Sequence, residues 1–167
     1  MLGFFKMKHL CLVASIPLLL VVTAANAVPV VFIVRHVEKA SVGGKDPDLS
    51  LQGQKRADAL AQILKDSQIT SIFVTEFKRT QETAAPTATA SHVSPVVILA
   101  KDLRPLVEKL RALNGNALVV GHGNTIPDLL KALGIATSVS IPEDDYTEIF
   151  VVLFGDAPQL LRLDYPF

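Results

Sequence analysis

Residues 28–34 read VPVVFIV and are followed at once by Arg35 and His36. A short run of β-branched and aromatic residues is typical of a buried β-strand. Side chains of an extended strand alternate between its two faces, so Arg35 and His36 can share a site only if the strand ends there. The stretch therefore predicts a core strand with two polar side chains at its carboxyl end.

Strand and helix patterns alternate along the rest of the chain. Ser50 is placed to cap a helix whose apolar residues recur at helical spacing from Ala57 to Leu64. Further predicted elements are a strand at 69–75, a helix at 78–90 strained near Pro86, a short strand at 95–99, a helix at 103–113, a strand at 116–120, a helix including 126–133, and a hairpin of 149–154 with 160–163. This alternation predicts one three-layer α/β/α domain, with helices on both faces of a mostly parallel sheet.

Residues 1–27 have the layout of a secretory signal peptide. Basic residues precede an apolar run over residues 10–24, and Ala25-Asn26-Ala27 supplies small residues for cleavage after Ala27. The alternative is an uncleaved anchor helix. Cys11 is the only cysteine of the chain, so thiol catalysis and disulfides are excluded from the exported domain that we predict over residues 28–167.

The charge balance excludes some classes of partner. The chain of 167 residues carries 16 basic and 16 acidic side chains, and 50% of its residues are hydrophobic. A nucleic-acid-binding protein should carry a basic patch, which this balance does not predict. Beyond the N-terminal segment, no apolar run reaches the roughly 18 residues of a membrane span. We therefore expect no nucleic-acid partner and, after cleavage, no membrane span, while the oligomeric state stays open.

Four polar side chains gather at the predicted carboxyl ends of the strands. Arg35 and His36 follow the first strand, Arg79 follows the second, and His122 follows the strand at 116–120. Ligands of parallel α/β sheets bind beyond these ends. Arginine binds phosphate oxygens bidentately, and histidine can be a nucleophile or a base near neutral pH. These residues predict a phosphate site in which one imidazole attacks phosphorus.

Four segments also carry a family resemblance. They are RHVEKA at 35–40, LSLQGQKRA at 49–57, TEFKRTQETA at 75–84 and VVGHGNT at 119–125. In this order and spacing they resemble the histidine phosphatase superfamily, also called phosphoglycerate mutase-like, over essentially all of residues 28–167. Gly123 stands where the acid phosphatase and phytase branch has Asp, so the resemblance is to the compact mutase-like branch. It implies the α/β/α fold of that family.

The resemblance implies a role for each matched residue. His36 is expected to be the nucleophile that forms a phosphohistidine, and Arg35, Arg79 and His122 are expected to form a cationic pocket around the phosphoryl group. Such a pocket needs no metal ion or other cofactor, because protein cations neutralise the transferring oxygens. A three-histidine metal site that adds His92 is the alternative, but two arginines beside it would repel a divalent cation.

The proton donor for the leaving group is expected to be Asp102 or, if Asp102 is only a helix cap, Glu76, Glu38 or a group of the substrate itself. The mutase-like branch draws an acid from the stretch after the second arginine's helix, and Asp102 is the only acid within residues 96–105. Asp102 is equally suited to cap the helix that follows it. We expect Glu38 either to brace the loop after His36 or to contact substrate, and Glu76 either to pair with Arg79 or to lie free on the surface.

Together these features predict an exported, metal-independent phosphomonoesterase that is periplasmic or secreted. The expected partner is a phosphorylated small-molecule or glycan substrate, such as a sugar phosphate or an envelope phosphate. Two alternatives remain. One is a phosphohistidine phosphatase that acts on proteins, and the other is a non-enzymatic binder of phosphorylated ligands that kept the pocket.

Overall fold

The computed structural model describes residues 28–155 and 157–165, and the predicted signal peptide at 1–27 lies outside them. The elements are β1 Val30–Arg35, α1 Leu51–Leu64, β2 Ile69–Val74, α2 Lys78–Ser91, β3 Val96–Val97, α3 Leu103–Arg111, β4 Asn116–Gly121, α4 Thr125–Ala132, β5 Glu148–Leu153 and β6 Gln159–Asp164. Their order is the predicted one. β3 is shorter than predicted, and α3 ends earlier.

The six strands form one sheet in the order β3-β2-β4-β1-β5-β6. Strands β1 to β4 are mutually parallel, while β5 is antiparallel to both β1 and β6. Parallel neighbours need crossover connections, and these bring the helices onto the faces of the sheet. The predicted mostly parallel sheet and its closing hairpin are confirmed.

Successive residues of β1 enter two different cores, one on each face of the sheet. Ile33 packs in a cluster with Leu110 of α3 and Leu130 of α4. Val34 packs on the other face with Leu60 of α1. The predicted three-layer α/β/α architecture is therefore confirmed. Within the described residues, no helix has the length and apolar character that a membrane crossing requires.

The start of α1 is fixed to the loop that follows His36. Ser50 caps α1 as predicted, because its hydroxyl accepts a hydrogen bond from the Gly53 backbone N–H at 3.0 Å. The Ser50 N–H in turn donates to the Glu38 carbonyl at 2.9 Å. A Cβ atom at Gly53 would lie 2.1 Å from that same carbonyl oxygen, so only glycine fits at this position.

Candidate active site

The carboxyl ends of β1, β2 and β4 border a cleft of about 770 Å³. Arg35, His36, Arg79 and His122 all line this cleft, and we call them the quartet. The His36 N–H donates to the Gly121 carbonyl at 2.9 Å, which extends the pairing of β1 with β4 past the end of β1. The four residues that we predicted from separate segments are thus brought to one place by three neighbouring strands.

His36 is buried and held in one tautomer. Its Nδ1 lies 2.9 Å from the Val37 carbonyl oxygen. Because a carbonyl only accepts hydrogen bonds, Nδ1 carries the proton and Nε2 of the neutral ring keeps its lone pair. Burial is the main cause that lowers the pKa of His36 to about 4; the hydrogen bond to Val37 opposes this shift, and His122 and the two arginines add to it. His36 is therefore uncharged near neutral pH, as a nucleophile requires.

His122 faces His36 across the cleft, with 5.4 Å between the ring centroids. Its Nε2 lies 3.1 Å from Thr75 Oγ1, and that hydroxyl lies 2.9 Å from Thr80 Oγ1. Burial, followed by the charge of Arg79, lowers the pKa of His122 to about 4. The ring is thus oriented by a hydroxyl network that begins at the end of β2.

Arg35 is held by backbone carbonyls. Its Nη1 donates to the Pro142 carbonyl at 2.7 Å and to the Asp145 carbonyl at 3.1 Å. The guanidinium lies 4.4 Å from the centre of the Tyr146 ring. Its Nε is buried and has no hydrogen-bond partner among the residues that the structure describes. A buried donor of this kind suits an anionic oxygen in the cleft.

Arg79 is held by a carboxylate instead. Its Nη1 lies 3.5 Å from Asp46 Oδ1, and its guanidinium lies 4.3 Å from the centre of the Phe77 ring. The Asp46 carboxylate also accepts from the Lys78 N–H, at 3.1 and 3.2 Å, at the first residue of α2. The loop that carries Asp46 therefore fixes both the start of α2 and the second arginine of the quartet.

Glu38 has a structural role. Its carboxylate accepts hydrogen bonds from Arg56 Nε at 2.9 and 3.0 Å and from Arg56 Nη2 at 2.7 Å. Both side chains are largely buried, at 16% and 7% exposure. The Tyr165 ring lies 5.9 Å from the Arg56 guanidinium, and burial raises the pKa of Tyr165 to about 12. Of the two roles expected for Glu38, the geometry supports bracing of the loop after His36.

The two other candidate acids differ in position. Glu76 lines the cleft, and its Oε2 accepts a hydrogen bond from the Ala100 N–H at 2.8 Å. Asp102 is exposed at the start of α3, where its side chain makes no capping hydrogen bond. It borders a smaller, mostly apolar cavity beside the cleft. The role of Asp102 as the general acid stays a prediction.

The third histidine lies apart from the quartet. His92 is exposed at the C-terminal end of α2, where its backbone is left-handed. Across residues 28–155 and 157–165, no three His, Cys, Asp or Glu side chains are grouped so that they could hold a metal ion.

Comparisons with known proteins support the family resemblance. A family model described as histidine phosphatase superfamily (branch 1) matches residues 31–104. No curated protein sequence matches at a significant level.

Several solved structures share the fold. The protein histidine phosphatase SixA, complexed with tungstate, is 20% identical with a TM-score of 0.69, over 81% of this chain and 96% of that one. A mycobacterial glucosyl-3-phosphoglycerate phosphatase with bound VO3 is 16% identical with a TM-score of 0.67, over 82% and 99%. A phosphoserine phosphatase from Entamoeba histolytica is 14% identical with a TM-score of 0.61, over 83% and 98%. The family model agrees with the three sequence segments that lie within residues 31–104, and the shared fold agrees with all four, so the resemblance to the histidine phosphatase superfamily (branch 1) and the predicted class of enzyme are confirmed.

Proposed function

We propose that the protein is an exported phosphomonoesterase that hydrolyses phosphate esters through a phosphohistidine at His36. The observation that carries this proposal is the hydrogen bond from His36 Nδ1 to the Val37 carbonyl, which leaves Nε2 as a fixed lone pair. The uncharged ring lies in a cleft with two arginines. An imidazole in this state can attack phosphorus, while guanidinium groups bind the phosphoryl oxygens.

The proposed hydrolysis takes place in two steps. In the first, the Nε2 lone pair of His36 forms a bond to phosphorus, and the bond from phosphorus to the ester oxygen breaks with its electron pair on that oxygen. The leaving oxygen then takes a proton from an acid group or from solvent. In the second, water attacks phosphorus and returns a proton to that group or to solvent, the bond from nitrogen to phosphorus breaks, and inorganic phosphate leaves. Arg35 and Arg79 neutralise the charge on the transferring oxygens throughout, and the uncharged His122 contributes a polar ring rather than a positive charge.

This pocket uses protein cations where other phosphatases use metal ions. Guanidinium groups in proteins keep their positive charge, so they can replace a metal ion as the source of charge. We therefore expect full activity in the presence of a strong chelator, measured as kcat/KM on one ester before and after treatment. Loss of activity that added zinc or magnesium restores would contradict a metal-independent mechanism.

The proposed substrate is a sugar phosphate or another small or envelope phosphate. The cleft is wide, and the polar side chains of Lys101, Asn124 and Glu143 at its border can contact the hydroxyl groups of a sugar. One structural neighbour is named a glucosyl-3-phosphoglycerate phosphatase, which supports a phosphorylated sugar derivative. The signal-peptide layout of residues 1–27 supports action in the periplasm or in the medium.

A second candidate is a phosphohistidine phosphatase that acts on proteins. It is favoured by the similarity to SixA, a protein histidine phosphatase with a TM-score of 0.69. A wide cleft would also admit a phosphorylated side chain of another protein. Export counts against this candidate, because such signalling proteins work in the cytosol. A binder without turnover is the remaining possibility.

The test is turnover and labelling of the purified protein. A panel of sugar phosphates, p-nitrophenyl phosphate and a phosphohistidine peptide separates the two substrate classes. Brief mixing with a labelled ester should leave an acid-labile, base-stable phosphoryl group, and His36→Ala should abolish it. His92→Ala is the matched control, because His92 lies outside the cleft. Labelling that persists in His36→Ala contradicts the nucleophile, and phosphate binding without turnover supports the binder.

A further inference from the structure

Glu76 is anchored on the border of the cleft by a contact from outside its own segment. The Ala100 N–H, in the connection between β3 and α3, donates to Glu76 Oε2 at 2.8 Å. Ala100 and Glu76 both line the cleft that contains the quartet. With Oε2 held by the backbone, Oε1 has no hydrogen-bond partner among the described residues.

The neighbours of Glu76 in sequence both contact His122. The Thr75 hydroxyl lies 3.1 Å from His122 Nε2, and the Phe77 ring meets the His122 ring edge-on at 5.3 Å between centroids. Glu76 also interacts electrostatically with His122, since its negative charge opposes the lowering of the His122 pKa. The Glu76 carboxylate therefore lines the cleft within electrostatic range of His122.

Other carboxylates near the quartet are less well placed. Glu38 is engaged by Arg56, and Asp46 is engaged by Arg79 and the start of α2. Asp102 borders the neighbouring apolar cavity and is not among the residues that line the cleft. Glu143 lines the cleft, but no described backbone or side-chain group holds its carboxylate. A proton donor needs a fixed position within reach of the leaving oxygen.

We propose that Glu76 is the general acid and base of the phosphomonoesterase, an inference that rests on the function proposed above. As the bond from phosphorus to the ester oxygen breaks, the carboxylic acid of Glu76 gives its proton to that oxygen, and the alcohol leaves. The carboxylate then takes a proton from the water that attacks phosphorus. The bond between His36 Nε2 and phosphorus breaks, and Glu76 ends protonated as it began.

The test varies the leaving group in Glu76→Gln. Glutamine keeps an oxygen for the Ala100 N–H but has no acid proton. We expect its kcat/KM on an alkyl or sugar phosphate to fall roughly 10²- to 10³-fold, and on p-nitrophenyl phosphate only slightly. The second step should also slow, since water loses its base. Glu76→Gln should therefore release a burst of p-nitrophenolate whose amount equals that of the enzyme. With a labelled ester, phosphorylated His36 should accumulate.

Glu82→Gln is the matched control, because Glu82 Oε2 likewise accepts a backbone N–H, that of Leu49 at 2.7 Å, but lies outside the cleft. Glu82→Gln should leave kcat/KM unchanged on both substrates. Equal losses on both substrates in Glu76→Gln would overturn the proposal, as would a selective loss found in Asp102→Asn or Glu143→Gln instead. Wild-type turnover and His36 labelling, measured in parallel, separate failure of the proposed function from failure of the Glu76 assignment.

Discussion

The two halves of the phosphate pocket are fixed by different kinds of partner. Backbone carbonyls hold Arg35 and His36, which belong to the end of β1. Side-chain oxygens, the Asp46 carboxylate and the Thr75 hydroxyl, hold Arg79 and His122. A substitution cannot remove a carbonyl, whereas it can remove a side chain. The first half is therefore fixed by the fold, and the second half can be tuned one residue at a time.

The two kinds of partner also leave different amounts of positive charge on the two arginines. Neutral carbonyls leave the full positive charge of Arg35 for the phosphoryl group. Asp46 compensates part of the charge of Arg79, at 3.5 Å and with partial exposure to solvent. We infer that Arg35 contributes more to anion binding than Arg79 does.

The largest expected effect separates the two arginines. Arg35→Lys removes the planar guanidinium, which can bind the two backbone carbonyls and a phosphoryl oxygen at the same time. The value of kcat/KM should therefore fall roughly 10²- to 10³-fold. The loss of kcat/KM in Arg79→Lys should be roughly tenfold smaller than in Arg35→Lys, because a lysine at this position can still pair with Asp46. The measurement is kcat/KM on one ester, with vanadate inhibition as the readout of pocket affinity. Thermal unfolding of both variants checks folding. Equal losses of kcat/KM in the two variants would contradict the inference that Arg35 contributes more to anion binding than Arg79.

The second prediction concerns the histidines, whose pKa values are both lowered to about 4 although their partners differ. Burial is the largest cause in each case. At pH 5 a histidine of ordinary pKa would be only about 3% neutral, whereas one with a pKa of about 4 is mostly neutral. Phosphorylation of His36 at pH 5 should thus be within about twofold of its rate at pH 7. Rapid-quench labelling measures the rate, and a roughly 30-fold drop would contradict the lowered pKa.

The same shifts set a pH dependence of stability. Between pH 6.5 and about 4, the unfolded chain binds protons at these histidines that the folded chain does not. The free energy of unfolding should fall as pH decreases through this window, and this contribution should be constant below pH 4. Urea unfolding at several pH values, compared between wild type and His122→Gln, should show a shallower slope in the variant.

A smaller effect should follow from Thr75→Val, which keeps the shape of the side chain but removes the hydroxyl that holds His122. One hydrogen bond of this kind is worth about 0.5–1.5 kcal/mol, so kcat should fall roughly 2- to 10-fold. Thr75→Ser keeps the hydroxyl and should retain most of the activity. If serine and valine behave alike, the hydroxyl does not orient the ring.

The smallest expected change comes from Asp46→Asn. Asparagine still accepts from the Lys78 N–H but no longer compensates Arg79, so vanadate should bind roughly 2- to 5-fold more tightly. The inhibition constant at low salt is the measurement. Weaker binding would show instead that the carboxylate positions Arg79. Asp46→Ala, which also removes the acceptor at the start of α2, separates the two contributions.

Local patterns predicted much of this molecule from its sequence. The apolar run of β1 and the turn residues of the final hairpin lie within short windows, so β1, β5 and β6 were found close to their true bounds. The cap at Ser50 depends on a contact three residues away. Arg35, His36 and His122 were predicted because each ends or directly follows a strand that is visible in the sequence, whereas Arg79 lies in the first turn of α2, after the end of β2.

The partners of the quartet were not found, for a physical reason. Asp46 and Tyr146 are far in sequence from the arginines they contact, and no periodic pattern marks such contacts. β3 has two residues instead of the predicted five, since it lies at an edge of the sheet and pairs with β2 only through Val96 and Val97. The Asp102 side chain makes no cap, although its position at the start of α3 is that of a capping residue.

The close contact at Gly53 has a consequence for genetics. Any side chain there would displace the Glu38 carbonyl and with it the loop that follows His36. Gly53 does not line the cleft, yet its substitution should appear in a loss-of-function screen beside the quartet. Such substitutions would act by distorting the loop, and a screen interpreted without the structure would count Gly53 among the residues that contact substrate.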